Sequence, residues 1–308
     1  MLSRVAESIY WVGRYVERAE NTARLVSLNM NLLLDMPGGA RPSWSNMVKI
    51  TGSDQLFNEH YKNSDELSVV RFMLTDAKNP SSMLNSLAAA RENARTIRDI
   101  IPQGAWEQIN ALHNTAKEKA KTGIAQKHRT DYLSNVIKGT QTLNGLFSST
   151  MLHDSAYHFL KMGRSLERAD MTTRIVDELS SETTGNDPSE EAKNSLLWMG
   201  LLRTLSANQM YRREMEVAVE REAVLEFLFR SNNFPRSITY CLNLVEECLG
   251  SLPRFKEPLK TTREARKLVQ TVNQSELTQE QLHTHIDELQ LAMVNVNNSI
   301  SNNYFSLV

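Results

Sequence analysis

Apolar residues recur every three to four positions along almost the whole chain, and no segment shows the alternation of a half-buried strand. The pattern predicts an all-α protein. A first helix of about 32 residues, roughly 48 Å long, is expected from Ser3 to near Asp35, where "DMPGGARP" brings Pro37, Gly38 and Gly39 as a stop. Shorter helical patterns follow near 43–61 and 64–75. Asn79–Pro80 is expected to open another helix that Pro102 closes, and 105–121 forms the next. A polar helix over 128–147 is expected to break or bend around Gly139 and Gly145. Near Met151 a second long helix begins. The stretch "SSETTGNDPSEE" reads as a linker, with Asp187–Pro188 starting the helix after it. Helices are then expected over Ser195–Asn208 and Arg212–Phe229. Pro235 opens one more, ending at Gly250 with Pro253 just beyond. The last starts at the capping box Thr278-x-x-Gln281.

The two long helices carry nearly the same sequence. "GRYVERAENTARLV" (13–26) and "GRSLERADMTTRIV" (163–176) are identical at eight of fourteen positions. A second pair, "VVRFMLTDAKNPSSML" (69–84) and "VLEFLFRSNNFPRSIT" (224–239), matches at a similar offset of 155 and in the same order. Together they predict an internal duplication: a large helical bundle of two similar halves, 1–150 and 151–308, about a pseudo-twofold axis in one compact domain.

On a helix of 3.6 residues per turn, Val5, Ile9, Val12, Val16, Ala19, Ala23, Val26 and Met30 fall on one side of the first helix. Glu7, Tyr10, Arg14, Glu17, Arg18, Asn21 and Arg24 fall opposite, with Glu20 toward the edge. Solvent would explain a polar face, but not its preservation in the second copy. There Arg164, Glu167, Arg168 and Arg174 repeat the charges and Asp170 replaces Glu20, while the apolar positions drift. Two arrangements fit. In one, the stripes face each other, Glu17 meeting Arg168 or Arg164 and Glu167 meeting Arg14 or Arg18, as a lock that sets helix register. In the other, they line a cleft for a phosphate or carboxylate, with Glu17 or Glu167 as a base or metal ligand. Asn21 becomes Met171 in the second copy, so a complete site is expected only in the first.

Composition narrows the functional classes. With 35 basic and 36 acidic residues the net charge is −1, which supplies no electrostatic reason for a nucleic-acid or anionic-membrane partner. No apolar run approaches a membrane span, and "MLSRVAESIYW" is unlike a signal peptide, so a cytoplasmic location is expected. Cys241 and Cys248, seven apart on one helix, are too far apart for a disulfide and are expected as buried thiols. The seven histidines show no His-x-x-x-His spacing, and no Gly-rich phosphate loop or nucleophile elbow occurs. Neither a metal nor another cofactor is therefore expected. Arg91, Asn93, Arg95 and Arg98, followed by Trp106, read as a solvated face or a partner surface. Arg236 in "FPRSI" reads as a carboxylate partner or an anion contact at a helix start.

"LSRVAESIYWVGRYVERAENTARLV" resembles the opening signature of the bacterial Alpha-E family, an all-helical family. "SLAAARENARTIRDIIPQGAWEQIN", "FLKMGRSLERADMTTRIVD", "LLRTLSANQMYRR" and "FPRSITYCL" resemble further family segments in the same order. The signature residues present are Glu7, Tyr10, Trp11, Gly13, Arg14, Glu17, Arg18, Glu20, Asn21 and Arg24. Such proteins tend to be encoded beside circularly permuted ATP-grasp proteins and transglutaminase-like proteins. The resemblance therefore implies an accessory or substrate-binding role in ATP-dependent amide or peptide-bond formation, or in peptide modification, with an amino acid or peptide as ligand. The alternatives are an enzyme acting on a carboxylate or acyl-phosphate through Glu17 and the arginines, and a purely structural scaffold.

Overall fold

A computed structural model describes residues 2–35, 43–181 and 188–306. Among these residues all regular structure is helical. In the first half α1 (Ser3–Asp35) is followed by α2 (Trp44–Ile50), α3 (Asp54–His60), α4 (Glu66–Leu74), α5 (Met83–Thr96), α6 (Gln103–Gly123) and α7 (Gln126–Thr150). The second contains α8 (Ser155–Ser181), α9 (Pro188–Thr204), α10 (Asn208–Met215), α11 (Arg221–Arg230), α12 (Ile238–Gly250), α13 (Lys256–Thr271) and α14 (Gln279–Tyr304). A single 3-10 turn, Gln274–Glu276, precedes α14. No described helix is long and apolar enough to cross a membrane.

The two long helices form the centre. α1 packs on α8, α5 and α7, while α8 packs on α1, α12 and α14. Around them α5, α6 and α7 pack in sequence, as do α12, α13 and α14. Periodicity places apolar residues on one side of α1, and Ile9, Val12, Val16 and Ala19 are buried there. The opposite side is buried as well, because Tyr10, Glu17, Asn21 and Thr22 lie under α8 and its neighbours.

What lets two such helices meet along charged faces is a pair of glycines. A Cβ on Gly13 would overlap the carbonyl oxygen of Leu160, and one on Gly163 would overlap that of Tyr10. Only hydrogen fits at either position, so the backbones touch there. Further out, Gly139 admits Leu112 of α6 against α7.

Local chemistry departs from the sequence expectation at several places. Pro80 and Pro235 lie in the turns before α5 and α12. The helices begin after Ser82 and Ser237, whose hydroxyls accept the amides of Asn85 and Tyr240. α7 runs unbroken through Gly139 and Gly145, since packing on α6 outweighs the intrinsic helix cost of glycine, about 1 kcal/mol each. The segment expected as one helix over Arg212–Phe229 is divided into α10 and α11 by Glu216, which takes φ 55°. α13 lies where no helix is expected, its buried stripe reduced to Pro258, Thr262, Ala265 and Val269. The Thr278 capping box forms in full. Cys241 and Cys248 are buried free thiols, and Cys241 donates to the Pro235 carbonyl at 3.5 Å. The "PGG" stop after Asp35 and the linker residues 182–187 lie outside the described residues.

Candidate functional site

Close contact at Gly13 and Gly163 brings the residues one turn onward face to face. Arg18 of α1 clasps Glu167 of α8 through two hydrogen bonds, Nε to Oε1 at 2.6 Å and Nη2 to Oε2 at 3.0 Å. Reciprocally, Arg168 clasps Glu17, Nε to Oε1 at 3.0 Å and Nη2 to Oε2 at 2.7 Å. Each is the bidentate fork that guanidinium and carboxylate planes favour. The carboxylates are almost wholly out of solvent, Glu17 at 0% and Glu167 at 3% exposure.

Each carboxylate takes a second arginine, and here the clusters diverge. Glu167 accepts Arg14 Nε at 2.8 Å. Arg14 also reaches Asn297 of α14 at 2.7 Å, and Tyr10 donates to the same asparagine at 2.8 Å. Glu17 is instead met by Arg236, from the turn before α12, at 2.8 Å. The same guanidinium donates to Asn21 and to Glu20. Glu20 also pairs with Arg24 and accepts the Thr140 hydroxyl. With Arg236 on Glu17, Arg164 has no carboxylate within ion-pair distance among the described residues, and its Nε is buried without a hydrogen-bond partner.

Burial by itself would raise the Glu17 carboxyl pKa. The Arg168 and Arg236 guanidiniums override it and hold that pKa at about 2 rather than the ordinary 4.5. Glu167 is likewise depressed, burial opposing and Arg14 and Arg18 prevailing. A carboxylate whose folded pKa lies below its unfolded value stabilises the fold fully above the unfolded value and loses that contribution as pH falls. Urea unfolding is therefore expected to show stability falling as pH drops from 4.5 toward 2. Glu17→Gln should flatten that fall by about one proton, read from the slope against pH.

Most of the residues singled out from sequence belong to this region. Arg14, Arg18, Glu167, Glu17 and Arg168 form the crossed pairs. Asn21 and Arg24 complete the first cluster, around Glu17; Tyr10 joins the second, around Glu167, through Arg14 and Asn297, and Arg174 pairs with Asp170 at 2.9 Å beside it. Glu7 is exposed and takes no part. Glu17 does not have the setting of a base: it is inaccessible, its lone pairs face two arginines, and its proton affinity is lowered. A complete site is expected only in the first motif, whereas the cleft draws on both, with Arg18 and Thr22 from the first and Glu167, Asp170, Met171 and Arg174 from the second. The cleft in this region, about 130 Å³, lies beside Glu167, Asp170 and Met171, with Ser81 on its wall.

Sequence reasoning missed Asn297, Thr140 and Ser206, the last taking Arg24 Nη1 at 2.6 Å. Each is a common polar residue on an amphipathic pattern and carries no signal of its own. The Arg91–Arg98 run resolves into local contacts, Arg91 with Asn110 and Glu92, Arg95 with Glu92, and Arg98 over the Trp106 ring. Away from the clusters, Asp177, His283 and Asp287 place potential metal-ligand atoms within 4.8 Å of one another, although His283 Nδ1 already bonds Asp177 at 2.8 Å.

Residues 1–305 match the model of the Alpha-E family, described as a predicted alpha-helical domain with a conserved ER motif. The chain has Glu-Arg at the centre of each cluster, 17–18 and 167–168. It is 25% identical over 268 residues to an uncharacterized protein of Mycobacterium bovis and 24% identical to one of Mycobacterium tuberculosis. Each match covers 81% of this chain but only 30% of the relative's length. No solved structure matches. By the near-complete family match, the chain belongs to the Alpha-E family.

Proposed function

We propose that this chain is a non-catalytic accessory module of an ATP-grasp-type ligase system, working in amide or peptide-bond formation or in peptide modification. One observation carries the non-catalytic half of this reading: the glutamate best placed to react is sealed between two guanidiniums. A base must reach the proton it removes, and Glu17 reaches only arginines. Its charge is spent on holding α1 against α8, which makes the Glu-Arg pairs a lock on helix register. The parallel order of packing in the two halves, and the reciprocal glycine contacts, support an origin by internal duplication.

The accessory half rests on the family resemblance and on length. In the mycobacterial relatives the matching region is under a third of a longer chain, so there it is joined to other sequence. The test is co-purification of this chain with the circularly permuted ATP-grasp protein from the same genome, followed by ADP release with candidate amino acids and peptides. A stable complex and a rate that rises at least several-fold when the chain is present are expected. Absence of a complex together with an unchanged rate would discard the accessory role. Amide formation by the isolated chain would instead favour an enzyme.

A further inference from the structure

The first cluster is plugged by a side chain that the second lacks. In the repeated segments Ser81 aligns with Arg236, and the next residues, Ser82 and Ser237, cap α5 and α12 alike. Arg236 fills the space between Glu17, Glu20 and Asn21, and its carbonyl accepts the Thr172 hydroxyl at 3.0 Å. Beside Glu167 and Asp170, the short side chain of Ser81 leaves the cleft open. Thr22, the counterpart of Thr172, lines this cleft at 1% exposure, and its Oγ1 has no hydrogen-bond partner. A buried hydroxyl left unsatisfied is costly, so it marks where a ligand atom would sit.

The charges define that ligand. Arg18 and Arg174 both line the cleft. Arg18 spends Nε and Nη2 on Glu167, and Arg174 spends Nε on Asp170. Among the described residues, Arg18 Nη1 and both terminal nitrogens of Arg174 bond nothing. Arg14 also binds Glu167, so three guanidiniums serve two carboxylates and the region is one positive charge in excess. That excess favours an anion. Asp170 Oδ1, however, accepts no hydrogen bond from a described residue, which favours a ligand bearing a cation as well. Met171, where the first copy has Asn21, and Thr51 complete the wall.

We propose that this cleft binds a small α-amino acid as its zwitterion. The carboxylate bridges Arg18 and Arg174 and accepts the Thr22 hydroxyl, while the ammonium group donates to Asp170. Planar carboxylate on guanidinium is the geometry arginine serves best. The site needs no partner protein, so its test is independent of the ligase reading and uses the 308-residue chain alone.

Calorimetric titration with L-alanine, acetate and inorganic phosphate as separate probes decides it. L-alanine is expected to bind saturably at one site, with acetate and phosphate at least about tenfold weaker, the worth of one charged hydrogen bond. Ser81→Arg, which supplies the missing plug, should abolish L-alanine binding. Thr22→Val keeps the shape, removes the hydroxyl and should weaken L-alanine at least several-fold, which preserves the test if Ser81→Arg does not fold. Asp170→Asn should erase the preference for L-alanine over acetate. No saturable L-alanine binding, phosphate or acetate binding as tightly, or undiminished affinity in folded Ser81→Arg or Thr22→Val would each overturn the assignment.

Discussion

Glu17→Gln is expected to lower the thermal midpoint by on the order of 10 °C, read by circular dichroism. The amide matches the carboxylate in shape, so packing is conserved while charge is lost. Arg168 would then lose its carboxylate, and Arg236 would keep only that of Glu20. Removing one partner of a buried ion pair typically costs about 3–5 kcal/mol, and each kcal/mol moves the midpoint of a large domain by about 2–4 °C. Glu7→Gln on the same helix is the control: it is exposed and unpaired, and should shift stability by no more than about 0.5 kcal/mol. A midpoint for Glu17→Gln within that control range would show that the network does not lock the fold. Replacing Glu17, Arg168 and Arg236 together by apolar residues should cost less than Glu17→Gln alone. The damage comes from orphaned charge, since desolvation already offsets much of the pair's attraction.

The second large effect reverses an ordinary trend. In an exposed helix interior, Gly→Ala adds about 1 kcal/mol of stability, because alanine loses less chain entropy. At Gly163 the added methyl would overlap the Tyr10 carbonyl, and backbone cannot step aside as a flexible side chain can. α1 and α8 would have to separate, and every crossed arginine bond spans that gap. Gly163→Ala is therefore expected to destabilise by about 3 kcal/mol or more, at or beyond the upper end of overpacking costs. Gly145→Ala, on α7 with open space around the new methyl, should be neutral or stabilising. Urea unfolding of the two variants measures both signs, and equal effects would remove the glycine contact as the feature that sets helix approach.

Much of the site was legible because its charges occur twice in the sequence, at 14–24 and 164–174. The expected partners of Glu167 were Arg14 or Arg18, and both bind it. Of the expected partners of Glu17, Arg168 binds and Arg164 does not. Arg236, 219 positions from Glu17, took the place of Arg164. Its alternative as a carboxylate partner was readable from "FPRSI", but the identity of the carboxylate was not. The helix bounds of α1 and the capping box of α14 followed from local chemistry, which acts over three or four residues. α13 escaped because its buried stripe holds threonine, alanine and proline beside one valine, too weak an apolar signal to outweigh its charges.

By itself, then, the sequence determined that the chain is helical, where its two long helices lie and which residues share a face, since these depend on neighbours within a turn or two. Periodicity left the direction of the polar face of α1 open, the repeated charges argued against solvent, and the tertiary structure decided that this face closes on α8. A stripe packed on another polar stripe has the same period as one facing water, and periodicity cannot separate them. It also decided which cluster closes and which stays open. That outcome turns on Arg236 against Ser81, residues carried into place by helices far along the chain, and on the space each leaves beside its glutamate.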